Sequence, residues 1–472
     1  MDHATIAGIA TALSESGISI IRVSGEDAIS YVDQIFSSKR GIRLTDVASH
    51  TIHYGTIIDR NMMLDEVLVS VMRAPRTYTT EDVVEINCHG GPLITQKILK
   101  LLISLGVQIA EPGEFTKRAF LGGRIDLSEA EAVMDLISAK NDFALKNSAA
   151  QLSGAVYRKI KAFREKILYQ MAYIESALDD PENYDLTGFP DQLHDLLETL
   201  SAELSLFIES ADHGKILKDG ISTCILGKPN AGKSSFLNTL VGCDKAIVTD
   251  IAGTTRDALE ETIQMGNFSL HLIDTAGIRD TEDVIEQMGV EKATAFAKDA
   301  DLIIYMVDSS VPLDESDRQI ISLIGKTPCI VLLNKSDLSQ AVSKEEIASL
   351  LPIPSSQILP FSTVASFTSE QKELSIDACI AQLKELIDEM FFSGKLSSYN
   401  DEVVITNLRQ KNHLLNAAKS INLVQESIAQ GLSEDFYSID LMNAYAELGF
   451  IIGEEVEDDL VNEIFSKFCM GK

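Results

Sequence analysis

An apolar run, Ile221-Ser-Thr-Cys-Ile-Leu226, leads directly into Gly227-Lys-Pro-Asn-Ala-Gly-Lys-Ser234, and no other stretch restricts the fold as tightly. The pattern G-x-x-x-x-G-K-S puts small residues where backbone N–H groups must close around phosphates at the start of a helix. Strand, phosphate loop and helix in that order call for an α/β domain with a doubly wound sheet. Lys233 is expected to reach the β- and γ-phosphates, and the Ser234 hydroxyl to ligate Mg²⁺.

Three further motifs follow in an order that makes joint sense only around a nucleotide. Thr249-Asp-Ile-Ala-Gly-Thr-Thr-Arg-Asp257 is a loop with hydroxyls suited to a metal and a γ-phosphate. Leu270-His-Leu-Ile-Asp-Thr-Ala-Gly277 reads as a strand ending in D-x-x-G, with Asp274 as the metal-side carboxylate and the Gly277 N–H at the γ-phosphate. Cys329-Ile-Val-Leu-Leu-Asn-Lys-Ser-Asp337 is a strand running into N-K-x-D. A carboxylate at Asp337 accepts from both N1–H and N2–H₂ of guanine; adenine has no such donor pair, and a carboxylate left unpaired there is penalised. The four motifs imply a guanine-nucleotide hydrolase. The residues expected to contact nucleotide are Asn230, Ala231, Gly232, Lys233, Ser234 and Ser235; Thr249, Asp250, Ile251, Ala252, Gly253, Thr254 and Thr255; Asp274, Thr275, Ala276 and Gly277; and Asn334, Lys335, Ser336 and Asp337.

Ile278 occupies the place where Ras-like hydrolases carry a water-positioning glutamine, so another device is needed. The loop Arg279-Asp-Thr-Glu-Asp-Val-Ile-Glu286 offers carboxylates, and Arg256 and Arg279 are candidate arginine fingers. Asn230 inside the phosphate loop points to a further option, a monovalent cation beside the phosphates, supplying positive charge where the transition state develops negative charge.

Four hundred and seventy-two residues are enough for two to four domains, each with its own core. No uninterrupted apolar run approaches membrane-spanning length, and the start, Met1-Asp-His-Ala-Thr-Ile, carries no basic region ahead of an apolar one. Six cysteines without C-x-x-C pairing imply a reduced, cytoplasmic protein and no zinc site. A net charge of −31 argues against a general nucleic-acid coat, since such binding rests on neutralising cations. Arg158, Lys159, Lys161, Arg164 and Lys166 form either a local basic face or the solvated side of a helix.

Residues 1–120 read as a mixed α+β domain. Strands are expected at Gly17-Ile-Ser-Ile-Ile-Arg-Val23, at Asp65-Glu-Val-Leu-Val-Ser-Val-Met72 and at Asp82-Val-Val-Glu-Ile-Asn-Cys-His-Gly-Gly91, before a helix from Pro92 to Leu105. Glu85, inside an apolar strand, must face solvent or a ligand, and composition alone favours solvent. Residues 121–215 turn helical: Leu152, Val156, Ile160, Phe163, Ile167, Met171, Ile174 and Leu178 form a bundle or coiled-coil seam, and Leu193 to Leu217 is a second helix. The phosphate-loop domain occupies residues 216–386. Helical character resumes over 387–472, so the simplest architecture is one helical bundle interrupted by an inserted α/β domain.

These residues resemble the MnmE (TrmE) family of tRNA-modification GTPases along the whole chain. The resemblance is carried by Gly227-Lys-Pro-Asn-Ala-Gly-Lys-Ser-Ser235, Gly253-Thr-Thr-Arg-Asp257, Asp274-Thr-Ala-Gly-Ile-Arg279, Tyr78-Thr-Thr-Glu-Asp-Val-Val-Glu-Ile86, His89-Gly-Gly-Pro92, Pro112-Gly-Glu-Phe-Thr-Lys-Arg-Ala-Phe120 and the tail Cys469-Met-Gly-Lys472. It implies a Ras-like GTPase domain inserted into a helical domain, behind a folate-binding-like N-terminal domain that mediates homodimerisation. It implies GTP hydrolysis coupled to modification of the wobble uridine of certain tRNAs, in the cytoplasm and away from membranes. The implied partner is the flavoprotein MnmG (GidA), which brings the FAD, and the implied one-carbon donor is a 5-formyl- or methylene-tetrahydrofolate. By the same resemblance Arg22, Glu85, Arg124 and Lys472 fall at the folate, which reverses the solvent-facing expectation for Glu85. Potassium falls to Asn230, Thr249, Ile251 and Thr254, Mg²⁺ to Ser234 and Thr255, and the water-organising role to Glu286; Cys469 is the tail residue implied in the modification chemistry.

Three departures from the family pattern stand out. Thr11-Ala-Leu-Ser-Glu-Ser-Gly17 replaces a Pro/Gly-rich loop, Arg124 replaces a lysine, and Ser362-Thr-Val364 stands where an S-A-K-like motif is usual. The alternative function is a regulatory switch GTPase in ribosome assembly or signalling, without chemistry of its own. The N-terminal domain and the tail favour the modification enzyme.

Overall fold

In the computed structural model the described residues are 4–180, 182–184, 186–243, 261–266, 268–273, 300–364, 366–369, 372–392, 403–454, 456, 458–468 and 471. The chain divides into two compact units. One comprises Met1–Ile137, Ala149–Ser201 and His413–Lys472; the other comprises Ser138–Ser148 and Ala202–Asn412.

Seven strands make the sheet of the first unit: β1 (Ile6–Ile9), β2 (Ser16–Ser24), β3 (Phe36–Ser37), β4 (Thr51–Asp59), β5 (Met62–Met72), β6 (Val83–Gly90) and β7 (Gln108–Ile109). They lie in the order β3-β4-β5-β6-β2-β1-β7, antiparallel except where β7 joins β1. Along β5 the alternation expected from the sequence is realised: Val67, Val69 and Val71 are buried while Leu68 is exposed. The buried face is covered by α1 (Ala28–Ile35) and α2 (Pro92–Ser104), whose Ile29, Val32, Ile98 and Leu102 close the core. On the opposite face Tyr54 stands across from Leu68, and Leu68 across from Asn87, so Arg22 and Glu85, also cross-strand neighbours, lie on that open side.

After α3 (Glu114–Leu121), α4 (Leu127–Ser138) and α5 (Asp142–Leu152), the longest apolar stripe of the sequence becomes α6 (Ala155–Asp179). Val156, Ile160, Phe163, Ile167 and Ile174 are buried as expected, while Leu178 at the end of the stripe is exposed. Helix α7 (Phe189–Asp219) precedes the phosphate loop in the chain. Among the described residues, four helices of the other unit come next in chain order, and the last three are α12 (Leu408–Ala429), α13 (Glu434–Ile452) and α14 (Asp458–Ser466). Of these, α13 packs along α6. Arg164 of α6 is buried rather than part of a basic face. Its guanidinium lies 3.9 Å from the Tyr445 ring centroid and pairs with Glu454.

The sheet of the second unit has six strands: β8 (Ile221–Leu226), β9 (Glu261–Met265), β10 (Phe268–Leu272), β11 (Leu302–Asp308), β12 (Cys329–Asn334) and β13 (Ile358–Pro360). They lie in the order β13-β12-β11-β8-β10-β9, all parallel except β9. The parallel strands are buried on both faces, hence their continuous apolar runs; Ile303 to Val307 is buried at every position. Helices α8 (Lys233–Cys243) and α11 (Ile376–Phe392) cover one face, and α9 (Glu315–Ile324) with α10 (Lys344–Leu350) the other. That is a doubly wound sheet. The chain runs from β8 to β10 on one side and later to β11 on the other, which makes the C-terminal end of β8 the topological switch point where such sheets bind ligands. A small antiparallel ribbon, β14 (Ser366–Ser369) with β15 (Lys372–Ser375), precedes α11.

Candidate active site

The phosphate loop leaves β8 at that switch point. Gly227 is needed because a β-carbon there would meet Met306 O, and Asn230 takes a left-handed φ of 61°, a conformation asparagine tolerates better than most residues. Gly232 has a φ of 100°, and a β-carbon there would collide with the side-chain amide of Asn334. That amide donates to Ala231 O at 2.7 Å, joining the N-K-x-D motif to the phosphate loop. The Asn334 Oδ1 is buried and without a partner among the described residues.

Lys233 opens α8 and folds back over the loop, its Nζ donating to Gly227 O at 2.7 Å and Lys228 O at 2.8 Å. Burial pushes this ammonium down to about 8. A lysine held by neutral carbonyls in a loop built of backbone N–H groups fits a phosphate, the anion that would stabilise its charged form. Ser234 and Ser235 are exposed at the start of α8, Ser234 in the position that suits a hydroxyl ligand to Mg²⁺.

At the end of β12, Lys335 has a φ of 59° and its Nζ is bound by Asp308 at 2.5 Å. Partial burial works against the Asp308 charge, but hydrogen bonds from Lys335 and Ser310 outweigh it and hold the carboxyl below the usual carboxylate range. Asp337 is exposed, and its Oδ1 accepts from Ser362 Oγ at 2.6 Å. Ser362 thus lies against the carboxylate of the N-K-x-D motif despite the departure of Ser362-Thr-Val364 from S-A-K, an arrangement the residue types alone left weakly marked. Ser336 instead turns inward, donating to Leu333 O at 2.7 Å. Residues 249–255 and 274–277, together with Glu286, lie outside the described residues, as do Cys469 and Lys472.

In the first unit, Arg22 Nε meets Glu85 Oε1 at 2.9 Å. The Arg22 guanidinium lies 5.7 Å from the Tyr78 ring and 5.6 Å from the Phe115 ring. Arg124 covers Tyr78 at 4.9 Å and donates to its carbonyl at 3.4 Å. The backbone of Gly471, from the tail, accepts from Arg22 at 3.5 Å. Arg22 and Arg124 are therefore brought together at one tyrosine ring, with Glu85 joined to them through Arg22. Tyr78 and Phe115 were not singled out from the sequence, although both sit in motifs that carry the family resemblance.

A phosphate loop at the switch point of a doubly wound parallel sheet, tied to an N-K-x-D loop, defines a P-loop GTPase-type nucleotide-binding protein. Comparison with known proteins carries this to a family. The family model for the MnmE helical domain matches residues 127–469, and that for the GTP-binding protein TrmE N-terminus matches residues 5–124. A tRNA modification GTPase MnmE of Lachnoclostridium phytofermentans is 52% identical, over 99% of this chain and 99% of that protein. Its counterpart in Bacillus mycoides is 45% identical over 100% of each. Among solved structures, a point variant of Aquifex aeolicus Era bound to GDP.AlF4- is 26% identical, covering 43% of this chain and 67% of that one with a TM-score of 0.25. The assignment rests on the full-length relatives and the family models. The chain belongs to the MnmE family of tRNA modification GTPases.

Proposed function

We propose that this chain binds GTP at the phosphate loop, hydrolyses it to GDP and phosphate, and couples that cycle to modification of the wobble uridine of certain tRNAs at C5. In this reading residues 216–386 serve hydrolysis, 1–120 bind folate and dimerise, and the helical segments 121–215 and 387–472 join them. Lys233 neutralises the β- and γ-phosphates, Ser234 and Thr255 hold Mg²⁺, and Asn230 with Thr249, Ile251 and Thr254 holds K⁺. Bound there, the two cations supply positive charge where the transferred phosphoryl group gains negative charge. Glu286 orients the attacking water, and Asp337 reads guanine.

The observation that carries the nucleotide part is Lys233, a half-buried ammonium held by two carbonyls, beside a loop fastened to the base-reading motif through Asn334. For the one-carbon part, a carboxylate and two arginines around Tyr78 suit a flat, donor-rich heterocycle with an anionic tail, which is the chemistry of a tetrahydrofolate. Lys472 and Cys469 belong to the same reading, with MnmG (GidA) supplying FAD. Homodimerisation through the N-terminal domain is supported by the open sheet face, where Ile52, Tyr54 and Leu68 are exposed.

Asp337→Asn tests the guanine assignment. The amide replaces one acceptor with a donor, which mismatches guanine and matches xanthine. Titration is expected to show at least about tenfold weaker GTP binding and tighter XTP binding; unchanged GTP affinity would sink the assignment.

A further inference from the structure

Lys228 is a free choice in the pattern G-x-x-x-x-G-K-S, yet its side chain is held by two carboxylates. Its Nζ binds Asp317 Oδ2 at 2.6 Å and Asp314 Oδ2 at 2.9 Å, at the N-terminus of α9. Asp317 is 1% exposed; its Oδ1 accepts from the Tyr305 hydroxyl at 2.9 Å and its Oδ2 from the Asp314 N–H at 3.0 Å. Asp314 in turn caps the helix, accepting from the N–H groups of Ser316 and Asp317. A capping box accounts for Asp314 and Asp317. It does not account for a tyrosine hydroxyl placed inside an otherwise apolar strand, nor for a lysine drawn from the phosphate loop. Burying a carboxylate is costly unless it is paired and hydrogen-bonded, so this network has a partner it must keep.

The backbone of Lys228 shows what is kept. Its carbonyl accepts from Lys233 Nζ at 2.8 Å and from the Ala231 N–H at 3.2 Å. Moving Lys228 therefore moves both the lysine that meets phosphate and the turn that presents the N–H groups. The same strand, β11, holds the other nucleotide loop from its far end. Asp308 grips Lys335, and Ser309 donates to Asn334 O through both its N–H at 2.9 Å and its Oγ at 2.8 Å. The Asn334 amide on Ala231 closes the circuit.

We propose that Asp317, supported by Tyr305 and Asp314, is a positioning residue for the phosphate loop and acts through Lys228, so that nucleotide affinity depends on side chains outside the nucleotide motifs. The effect falls on binding of ground state and transition state alike, which raises Kd and KM and leaves kcat nearly unchanged. The proposal rests on the phosphate-loop reading above.

The test uses the full chain and a fluorescent GDP analogue, with kcat measured at saturating GTP and urea unfolding of each variant. Lys228→Met retains the aliphatic stem and removes the charge at a loop position. Asp317→Asn and Tyr305→Phe weaken the anchor from the other side. We expect Lys228→Met and Asp317→Asn each to raise the GDP Kd about tenfold and Tyr305→Phe about threefold, with kcat within about threefold of the parent. Because Lys228 and Asp317 act through one contact, the double variant is expected to bind no more weakly than the worse single variant. Lys228→Arg is expected to restore affinity to within about threefold. The proposal is overturned if Lys228→Met binds GDP within about twofold of the parent, if the two losses multiply in the double variant, or if the unfolding midpoint falls while Kd holds. A parent chain that fails to bind GDP would overturn the phosphate-loop reading as well.

Discussion

At the scale of single residues, the chemistry of this molecule is set by charges whose surroundings make them wait for a partner. Lys233 is the clearest case. Its depressed value of about 8 lies below the ordinary lysine value near 10.5, so the unfolded chain binds more protons than the folded one between those limits. The sign follows: the charged lysine works against the nucleotide-free fold below pH 8, and this penalty is lifted as pH rises from about 8 to about 10.5. Phosphates beside Lys233 reverse the shift by favouring the charged form. Nucleotide binding is therefore expected to take up a fraction of a proton at about pH 9 and much less at about pH 7, where the lysine is already protonated. Calorimetry of GDP binding in buffers of different ionisation enthalpy measures this directly; equal uptake at both values would contradict it. Ser362 belongs to the same scale. Ser362→Ala removes one hydrogen bond to Asp337, worth about 0.5–1.5 kcal/mol, and GTP affinity should drop by roughly two- to tenfold. An unaltered affinity in the same titration would show that Asp337 needs no such support.

At the scale of elements, the helices follow the apolar spacing of the sequence and then make choices that spacing does not contain. The α6 stripe buries Val156 through Ile174 as the period of about 3.6 residues requires, but Leu178 stays exposed. Arg164, which reads as part of a basic run, turns inward because Gly449 of α13 leaves room for the flat guanidinium and Tyr445 offers its ring face. Arg164→Met should cost about 2 kcal/mol, below the roughly 3–5 kcal/mol of a fully buried ion pair, since Glu454 is half exposed and can be rehydrated. Urea denaturation followed by far-ultraviolet circular dichroism reads this loss, and an unmoved midpoint would make the Arg164 contacts energetically idle. In the phosphate loop, Gly232 is the position where an added β-carbon is least tolerable, for it would displace the Asn334 amide that links the two nucleotide loops.

At the scale of the whole molecule, the two candidate sites belong to different compact units, the phosphate loop to one and the arginine cluster to the other. Among the described residues no helix is long and apolar enough to cross a membrane. The tail supplies Gly471 to Arg22, so it is a partner of the N-terminal cluster in the first unit. Removing residues 469–472 is therefore expected to leave GTP turnover within a few fold while abolishing wobble-uridine modification. Both assays on one purified variant, with the proposed flavoprotein partner present, decide this; normal modification by the truncated chain would exclude a chemical role for the tail. Potassium dependence belongs here too. If a monovalent cation at Asn230 takes the place of an arginine finger, hydrolysis in Na⁺ buffer should fall by several orders of magnitude, on the order of the 10³–10⁵ attributed to such fingers. Equal turnover in K⁺ and Na⁺ would refute it.

Taken alone, the sequence determined whatever depends on local order along the chain: a strand before the phosphate loop, glycines where the backbone must approach closely, and N-K-x-D at a strand end. The alternation of β5 and the helical stripe of α6 were legible for the same reason, since each is a short-range periodicity with one buried face. Arg22, Glu85 and Arg124 were reachable only through family resemblance, because nothing in their spacing says that β2, β6 and the segment after α3 meet around Tyr78. The Tyr305–Asp317–Lys228 anchor was not legible at all. Its members sit 12 and 89 residues apart in the chain, and each has an ordinary explanation by itself: a strand tyrosine, a helix-capping aspartate and a variable loop lysine. Only the packing of α9 against β11 removes Asp317 from water, and a carboxylate removed from water must find a cation. Tertiary structure decided which lysine that would be.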